Sequence, residues 1–205
     1  MKSKLRLGVL GSGKGSNFRA IQEAIVDGEL RAEARIVISD VENAGILDLA
    51  RSHGIKAVHV PPGKFKTKLE PEIEEQVVQL LKNAGVELVV LAGYMRMIKQ
   101  PMLDAFAGKI INIHPSLLPK FPGIAAWKQA LEAGETAAGC TVHYVDAGMD
   151  SGKIIAQSEV PILAGDTPEI LHARIQVAEH ELYPEVIRGF AARRSSINQD
   201  LKPDA

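Results

Sequence analysis

The sequence predicts a doubly wound α/β fold, a mostly parallel Rossmann-like sheet with an antiparallel addition in its C-terminal half. Short runs rich in β-branched and aliphatic residues recur at 5–10, 35–39, 57–60, 88–91, 109–113, 138–145 and 154–160. Most are followed by longer helix-like segments, the rhythm of parallel strands joined by crossover helices. Several runs (LVVL, IINI) are continuously apolar, as strands covered on both faces must be. The rhythm shifts once. The runs 138–145 and 154–160 are joined by the Gly- and Asp-rich DAGMDSG rather than by a helix, so they should pair antiparallel.

At the start, MKSKLRLGVLG places basic residues before apolar ones, but Gly8 and Gly11 interrupt a run too short for the apolar core of a signal peptide. It is expected to be the first strand. The last long helix should begin at GDTPE, where Asp166 or Thr167 can cap, Pro168 suits the first turn and Glu169 complements the dipole. It is expected to end near 191. Beyond it, RRSSINQDLKPDA has little apolar content, so residues 1–192 are expected to form one domain and 193–205 a disordered tail.

With 205 residues, 46% of them hydrophobic, the chain can build one substantial core. Its 24 basic and 25 acidic residues give a net charge of −1, without the basic footprint of a nucleic-acid binder. No stretch approaches the roughly 20 apolar residues that span a bilayer, the longest candidate being LVVLAGYM at 88–95. Cys140 stands alone, which excludes an intrachain disulfide and a multi-Cys metal site. A cytoplasmic enzyme for small-molecule substrates is expected, with neither nucleic acid nor membrane as partner, as a monomer or homodimer.

The first strand runs into LGSGKGSNFRAI, a Gly-rich turn opening a helix, where free backbone N–H groups and the dipole invite an anion. Phosphate is the natural guest. The spacing from Gly8 to Lys14 imitates a P-loop, but Gly15 sits where the magnesium-binding hydroxyl belongs. Gly11-x-Gly13 imitates a dinucleotide fingerprint, but Ser16 replaces the third glycine, although Asp40 stands roughly where a ribose-binding acid would. A tight turn holding no ligand, with Ser16 or Asn17 as N-cap, explains the same residues.

Asn112 and His114 lie two apart before Pro115, so on a strand they point the same way at its carboxyl end, where α/β sheets bind ligands. A lone histidine there is commonly satisfied by a carbonyl. An amide and an imidazole together can converge on one oxygen, as stabilisers of an oxyanion do. A proton carrier is still needed, and DAGMDSG offers Asp146 and Asp150, each of which could instead be a solvated turn carboxylate. Trp127 is expected to be a helix-packing residue and His143, on the strand 138–145, to be structural.

Taken together, GSGKGSN, LAGYMRMI at 91–98, INIHPSLLPKFPG at 111–123, DAGMDSGKII at 146–155 and AEHELYP at 178–184 resemble the folate-dependent formyltransferases. Gly-Lys-Gly-Ser-Asn singles out the phosphoribosylglycinamide formyltransferase branch, and the resemblance covers residues 5–191. It implies transfer of a formyl group from 10-formyltetrahydrofolate, a cosubstrate, to the amine of glycinamide ribonucleotide in purine biosynthesis, without a metal. Matched by position, it implies catalytic roles for Asn112, His114 and Asp150, with His114 as imidazolium. It gives the ribonucleotide to Gly15, Ser16, Asn17, Gln176 and Glu179. It gives the folate to Met95, Arg96, Met97, Ile98, Asn112 and the loop Ala147, Gly148, Met149 and Asp150. Lys68 stands where family members often carry an arginine near the folate's glutamate, keeping the charge but losing the two-pronged geometry.

Three alternatives compete. Methionyl-tRNA formyltransferases share Asn-x-His and SLLP but add an RNA-binding domain for which a chain of 205 residues leaves no room. Formyltetrahydrofolate deformylases share the three polar residues but carry an N-terminal regulatory domain, whereas here the first strand opens the chain. A non-catalytic nucleotide-binding module would account for the glycine turn and Asp40 but leave Asn112, His114 and Asp150 unexplained.

Overall fold

Thirteen elements alternate along the chain in the computed structural model, which describes residues 3–200, the side chains of 195–200 aside. They are β1 (Leu5–Leu10), α1 (Ser16–Val26), β2 (Ala32–Ser39), α2 (Gly45–Ser52), β3 (Lys56–His59), α3 (Pro71–Asn83) and β4 (Leu88–Leu91) in the first half. Then follow α4 (Gln100–Ala105), β5 (Ile110–His114), α5 (Ala126–Glu132), β6 (Ala137–Tyr144), β7 (Ile154–Pro161) and α6 (Pro168–Asp200).

All seven strands share one sheet, in the order β3-β2-β1-β4-β5-β6-β7. Pairing is parallel from β3 to β5 and antiparallel from β5 through β7, which is the doubly wound sheet with an antiparallel addition expected from the sequence. The chain leaves β1 in one direction and returns at β4 on its other side. The glycine turn after β1 and the segment after β4 therefore open into one crevice, the switch point where such sheets hold ligands.

The sheet separates two cores. Leu7, Val9, Val90, Ile111 and Ile113 meet Phe18 and Ile21 of α1 and Leu171, Ile175 and Tyr183 of α6 on one face. On the other, Leu10, Ile36, Ile38, Val89 and Ile110 meet Val77 and Leu81 of α3 and Met102 of α4. Alternation along β5 sends Ile111 and Ile113 toward α6, so Asn112 and His114 share the opposite side. Gly8, misplaced for a P-loop, has a packing role instead. A Cβ there would sit 2.4 Å from Leu81 Cδ2, so only glycine lets α3 lie this close to β1.

The start of α6 follows its sequence signals, with Thr167 Oγ1 accepting from the Ile170 amide and Asp166 gripping Arg174 at 2.6 and 2.9 Å. Its end does not. The helix runs on to Asp200, past the stop expected near 191, so residues 193–200 of the expected tail are helical while 201–205 lie outside the described residues. A tertiary contact supports the extension: Arg194 Nε meets Glu87 Oε1 at 2.7 Å and its guanidinium also donates to the Ser3 carbonyl at 2.8 Å. At the middle of α6, fully buried Tyr183 places its hydroxyl 2.9 Å from the Leu91 carbonyl and 3.1 Å from that of Ile111.

Candidate active site

A cavity of about 800 Å³ opens along the carboxyl ends of β1, β4 and β5. One end is made by the glycine turn. Gly15, at φ +82°, forms the N-cap of α1 in the left-handed region, and no side chain caps this helix. The cap expected at Ser16 or Asn17 is thus supplied by backbone, because a glycine can turn the chain where the helix begins. A Cβ on Gly15 would come within 2.9 Å of Ile46. The Gly13 carbonyl accepts from the Ile46 amide at 3.1 Å, so the start of α2 braces the turn. The first amides of α1 have no partner within the helix and face the cavity end with the positive dipole.

Across from this turn, Gln176 and Glu179 stand one turn apart on α6. Asn17 Nδ2 donates to Glu179 Oε2 at 2.9 Å. Burial pushes the Glu179 carboxyl above its ordinary value, and the Asn17 amide only partly opposes that. Trp127 of α5 and His172 of α6 also line the cavity, their rings stacked 3.7 Å apart with 4° between planes. Trp127 is the helix-packing residue expected, but it is a cavity wall as well.

Four polar side chains meet at the end of β5. Asn112 lies directly opposite His143 in the β5–β6 register, and its Nδ2 is 3.2 Å from His143 Nε2. His143 Nδ1 faces the Tyr144 carbonyl at 2.8 Å, so Nδ1 carries a proton, and Nε2 is turned to the Asn112 amide. Asp150 reaches in from the β6–β7 loop: Oδ2 lies 3.3 Å from His114 Nδ1 and accepts from the Gly123 amide at 2.9 Å, while Oδ1 lies 3.6 Å from His143 Nε2. His114 Nε2 lies 2.9 Å from the Phe121 carbonyl. His143, expected to be structural, is held by the Tyr144 carbonyl and also contacts Asn112 and Asp150. Pairing β5 with the 138–145 strand in antiparallel register would have exposed it.

The electrostatics of this cluster pull both ways. Burial lowers the pKa of His114, and the Phe121 carbonyl and Asp150 carboxylate offset this only partly. For Asp150 burial works upward, but His143, the charge of His114 and the Gly123 amide together hold it below the ordinary carboxylate value. Both ring nitrogens of His114 face acceptors, the Phe121 carbonyl and the Asp150 carboxylate, so these contacts favour the protonated ring while burial opposes it. Asp150 itself sits at φ +50°, and Phe121 and Ala125 at φ +54°, so the backbone around the cluster is strained. The two loop carboxylates both line the cavity but are held differently: Asp146 Oδ1 accepts from the Gly148 amide and the Ser151 hydroxyl and builds the turn, whereas Asp150 contacts His114 and His143.

The far end of the cavity is lined by 95–98, Gly148 and Met149. Met95 is exposed and Ile98 buried. The Arg96 side chain is engaged elsewhere: Nε pairs with Asp40 Oδ2 at 2.6 Å, and its terminal nitrogen donates to the carbonyls of Phe65 and Lys66. Asp40 gives its other oxygen to the Ser12 hydroxyl at 2.5 Å. Buried with both oxygens committed, it is no ribose-binding acid, and the dinucleotide alternative loses its support. Lys68 and Ala147 do not line the main cavity. They border a second cavity of about 350 Å³ beside Glu74 and Lys99.

Among the described residues, no group of three or more His, Cys, Asp or Glu side chains is arranged to hold a metal. No helix among them is long and apolar enough to cross a membrane.

An α/β enzyme with its site at the switch point of a doubly wound sheet is the class this arrangement fits. The chain belongs to the formyl transferase family, whose profile, described as "Formyl transferase", matches residues 5–187. It is 44% identical over 183 residues to the phosphoribosylglycinamide formyltransferase of Bacillus subtilis (strain 168), covering 89% of this chain and 93% of that protein. It is 45% identical over 202 residues to the trifunctional purine biosynthetic protein adenosine-3 of Drosophila pseudoobscura pseudoobscura, covering 98% of this chain but 15% of that longer protein. Among solved structures, glycinamide ribonucleotide transformylase 1 from Symbiobacterium toebii superposes with a TM-score of 0.88 at 48% identity, covering 92% of this chain and 88% of that one.

Proposed function

We propose that the protein transfers the formyl group of 10-formyltetrahydrofolate to the primary amine of glycinamide ribonucleotide in purine (IMP) biosynthesis, acting on small molecules in the cytoplasm. The observation that carries this reading is one cavity with an amide-lined helix start at one end, an apolar segment at the other and the Asn112–His114–His143–Asp150 cluster between them. The names of the relatives support the choice of acceptor.

On this reading the ribonucleotide's phosphate sits on the amides of Gly15, Ser16 and Asn17, and Gln176 and Glu179 face its ribose and glycinamide end. The pterin lies along Met95, Arg96, Met97 and Ile98, meeting the backbone at Arg96 because that side chain is committed, and Ala147 to Asp150 close over it. Lys68, on the second cavity, is placed to attract the glutamate carboxylates of the folate.

The acceptor amine attacks the formyl carbon, a C–N bond forms, and the carbonyl oxygen becomes an anion. Asn112 has two amide hydrogens; one is given to His143 and the other is free for that oxygen. His114 is near enough to add a second donor once its Nε2–H turns from the Phe121 carbonyl. Negative charge developing beside the ring favours its protonated form, and Asp150 stabilises that imidazolium. The bond to the folate nitrogen then breaks as one proton passes from the amine to that nitrogen, with Asp150 relaying it through water.

A spectrophotometric assay of the protein with 10-formyltetrahydrofolate, with and without glycinamide ribonucleotide, tests the reading. Folate production that requires the amine is expected. Equal rates without it would make the protein a formyltetrahydrofolate deformylase instead.

A further inference from the structure

The Ser12–Asp40–Arg96 chain of contacts belongs to neither end of the cavity alone. Ser12 lies in the glycine turn; its hydroxyl donates to Asp40 Oδ1 at 2.5 Å and accepts from the Met95 amide at 2.9 Å, and its own amide donates to the Gly93 carbonyl at 2.9 Å. The other Asp40 oxygen holds Arg96 at 2.6 Å, and Arg96 in turn ties down the 65–66 backbone. With side-chain exposures of 1% for Asp40 and 17% for Arg96, this ion pair is largely withdrawn from water. Such a pair has little slack, because displacing one partner strands a buried charge.

We infer that Asp40 is a positioning residue that couples the two substrate subsites, transmitting order in the glycine turn to the 93–98 segment and back. The inference rests on the transferase reading, which assigns one subsite to the ribonucleotide and the other to the folate. Asp40 is buried and does not line the cavity, so its influence passes through Ser12 and Arg96. A ligand that orders one segment leaves less ordering for the second ligand to impose, and the two bind with positive cooperativity. Reciprocity requires the same factor in both directions, and such factors typically fall in the range of about 5–150-fold.

Isothermal titration with glycinamide ribonucleotide, alone and with saturating tetrahydrofolate, reads the coupling as a ratio of dissociation constants. The wild-type protein is expected to bind the ribonucleotide at least about fivefold more tightly with folate present. Asp40→Asn and Ser12→Ala should bring the ratio near one, and Arg96→Lys should retain part of it through its charge. A purely structural role would weaken both ligands or lower Tm while leaving the ratio intact. Ser12→Ala removes one hydroxyl only and serves if Asp40→Asn does not fold. A ratio near one in the wild type, or one preserved in the folded Ser12→Ala variant, overturns the coupling while the transferase reading stands. Failure of the wild type to bind either ligand overturns both.

Discussion

The two ends of the polar stretch of the cavity are built from different material. At the glycine turn the geometry is made by backbone: Gly15 in the left-handed region, the bare start of α1 and a packing distance to Ile46 that admits no Cβ. At the end of β5 it is made by side chains, with Asn112, His114, His143 and Asp150 linked by contacts of 2.8 to 3.6 Å to one another and to nearby backbone. A backbone site is indifferent to side-chain chemistry but cannot take an extra methyl group. A side-chain site tolerates small shifts of shape but loses function when one atom changes its charge or its donor.

This contrast sets the expected order of damage. The largest effect belongs to Asp150→Asn, which keeps shape and an acceptor for the Gly123 amide but removes the charge beside His114. Turnover should fall by about 10²–10⁴ with the fold intact, and a kcat near the wild-type value would remove Asp150 from the chemistry. Asn112→Ala should lower kcat by about 10²–10³ and leave both KM values nearly unchanged; a change confined to KM would make Asn112 a binding residue only.

Gly15→Ala tests the other material. The positive φ and the approach to Ile46 together should cost about 1–3 kcal/mol of stability, read from the denaturation midpoint, and raise the KM for the ribonucleotide more than Ser16→Ala does. If Ser16→Ala is the worse of the two, the backbone account of that end is wrong. His143→Phe should strand one Asn112 hydrogen, a loss of about 1–3 kcal/mol shared between stability and transition state; unchanged kcat and Tm together would demote His143 to packing.

Glu179→Gln should have the mildest effect on the fold, and its sign is fixed by the raised carboxyl pKa. A carboxyl whose folded-state pKa lies above its unfolded value favours folding below the unfolded value, and that advantage is lost as pH rises through the folded value. Glutamine never ionises. The variant's Tm should therefore match the wild type near about pH 4, where model carboxylates protonate, and exceed it increasingly toward neutrality. Melts over that range check the sign.

Much of the sheet was legible because strands buried on both faces leave unbroken apolar runs: LVVL became β4 residue for residue, and IINI entered β5 with Asn112 and His114 on one side. What escaped depended on distant partners. The extension of α6 beyond 191 rests on Arg194 reaching Glu87, 107 positions away, which no local pattern encodes. Asp40 looked like a ribose ligand because its position follows β2, but its role is set by Ser12 and Arg96. The Gly15 cap was hidden for the opposite reason. Ser16 and Asn17 are good capping residues by type, and a left-handed glycine immediately before them made a side-chain cap unnecessary.

Tyr183 has a mechanical consequence. Its hydroxyl sits between the carbonyls of Leu91 and Ile111, so α6 is riveted where β4 and β5 run side by side. Gln176 and Glu179 ride on that same helix, and Asn112 on one of those strands. They form one fixed jaw of a cavity whose lining also takes in residues of the turns at 121–125 and 146–152.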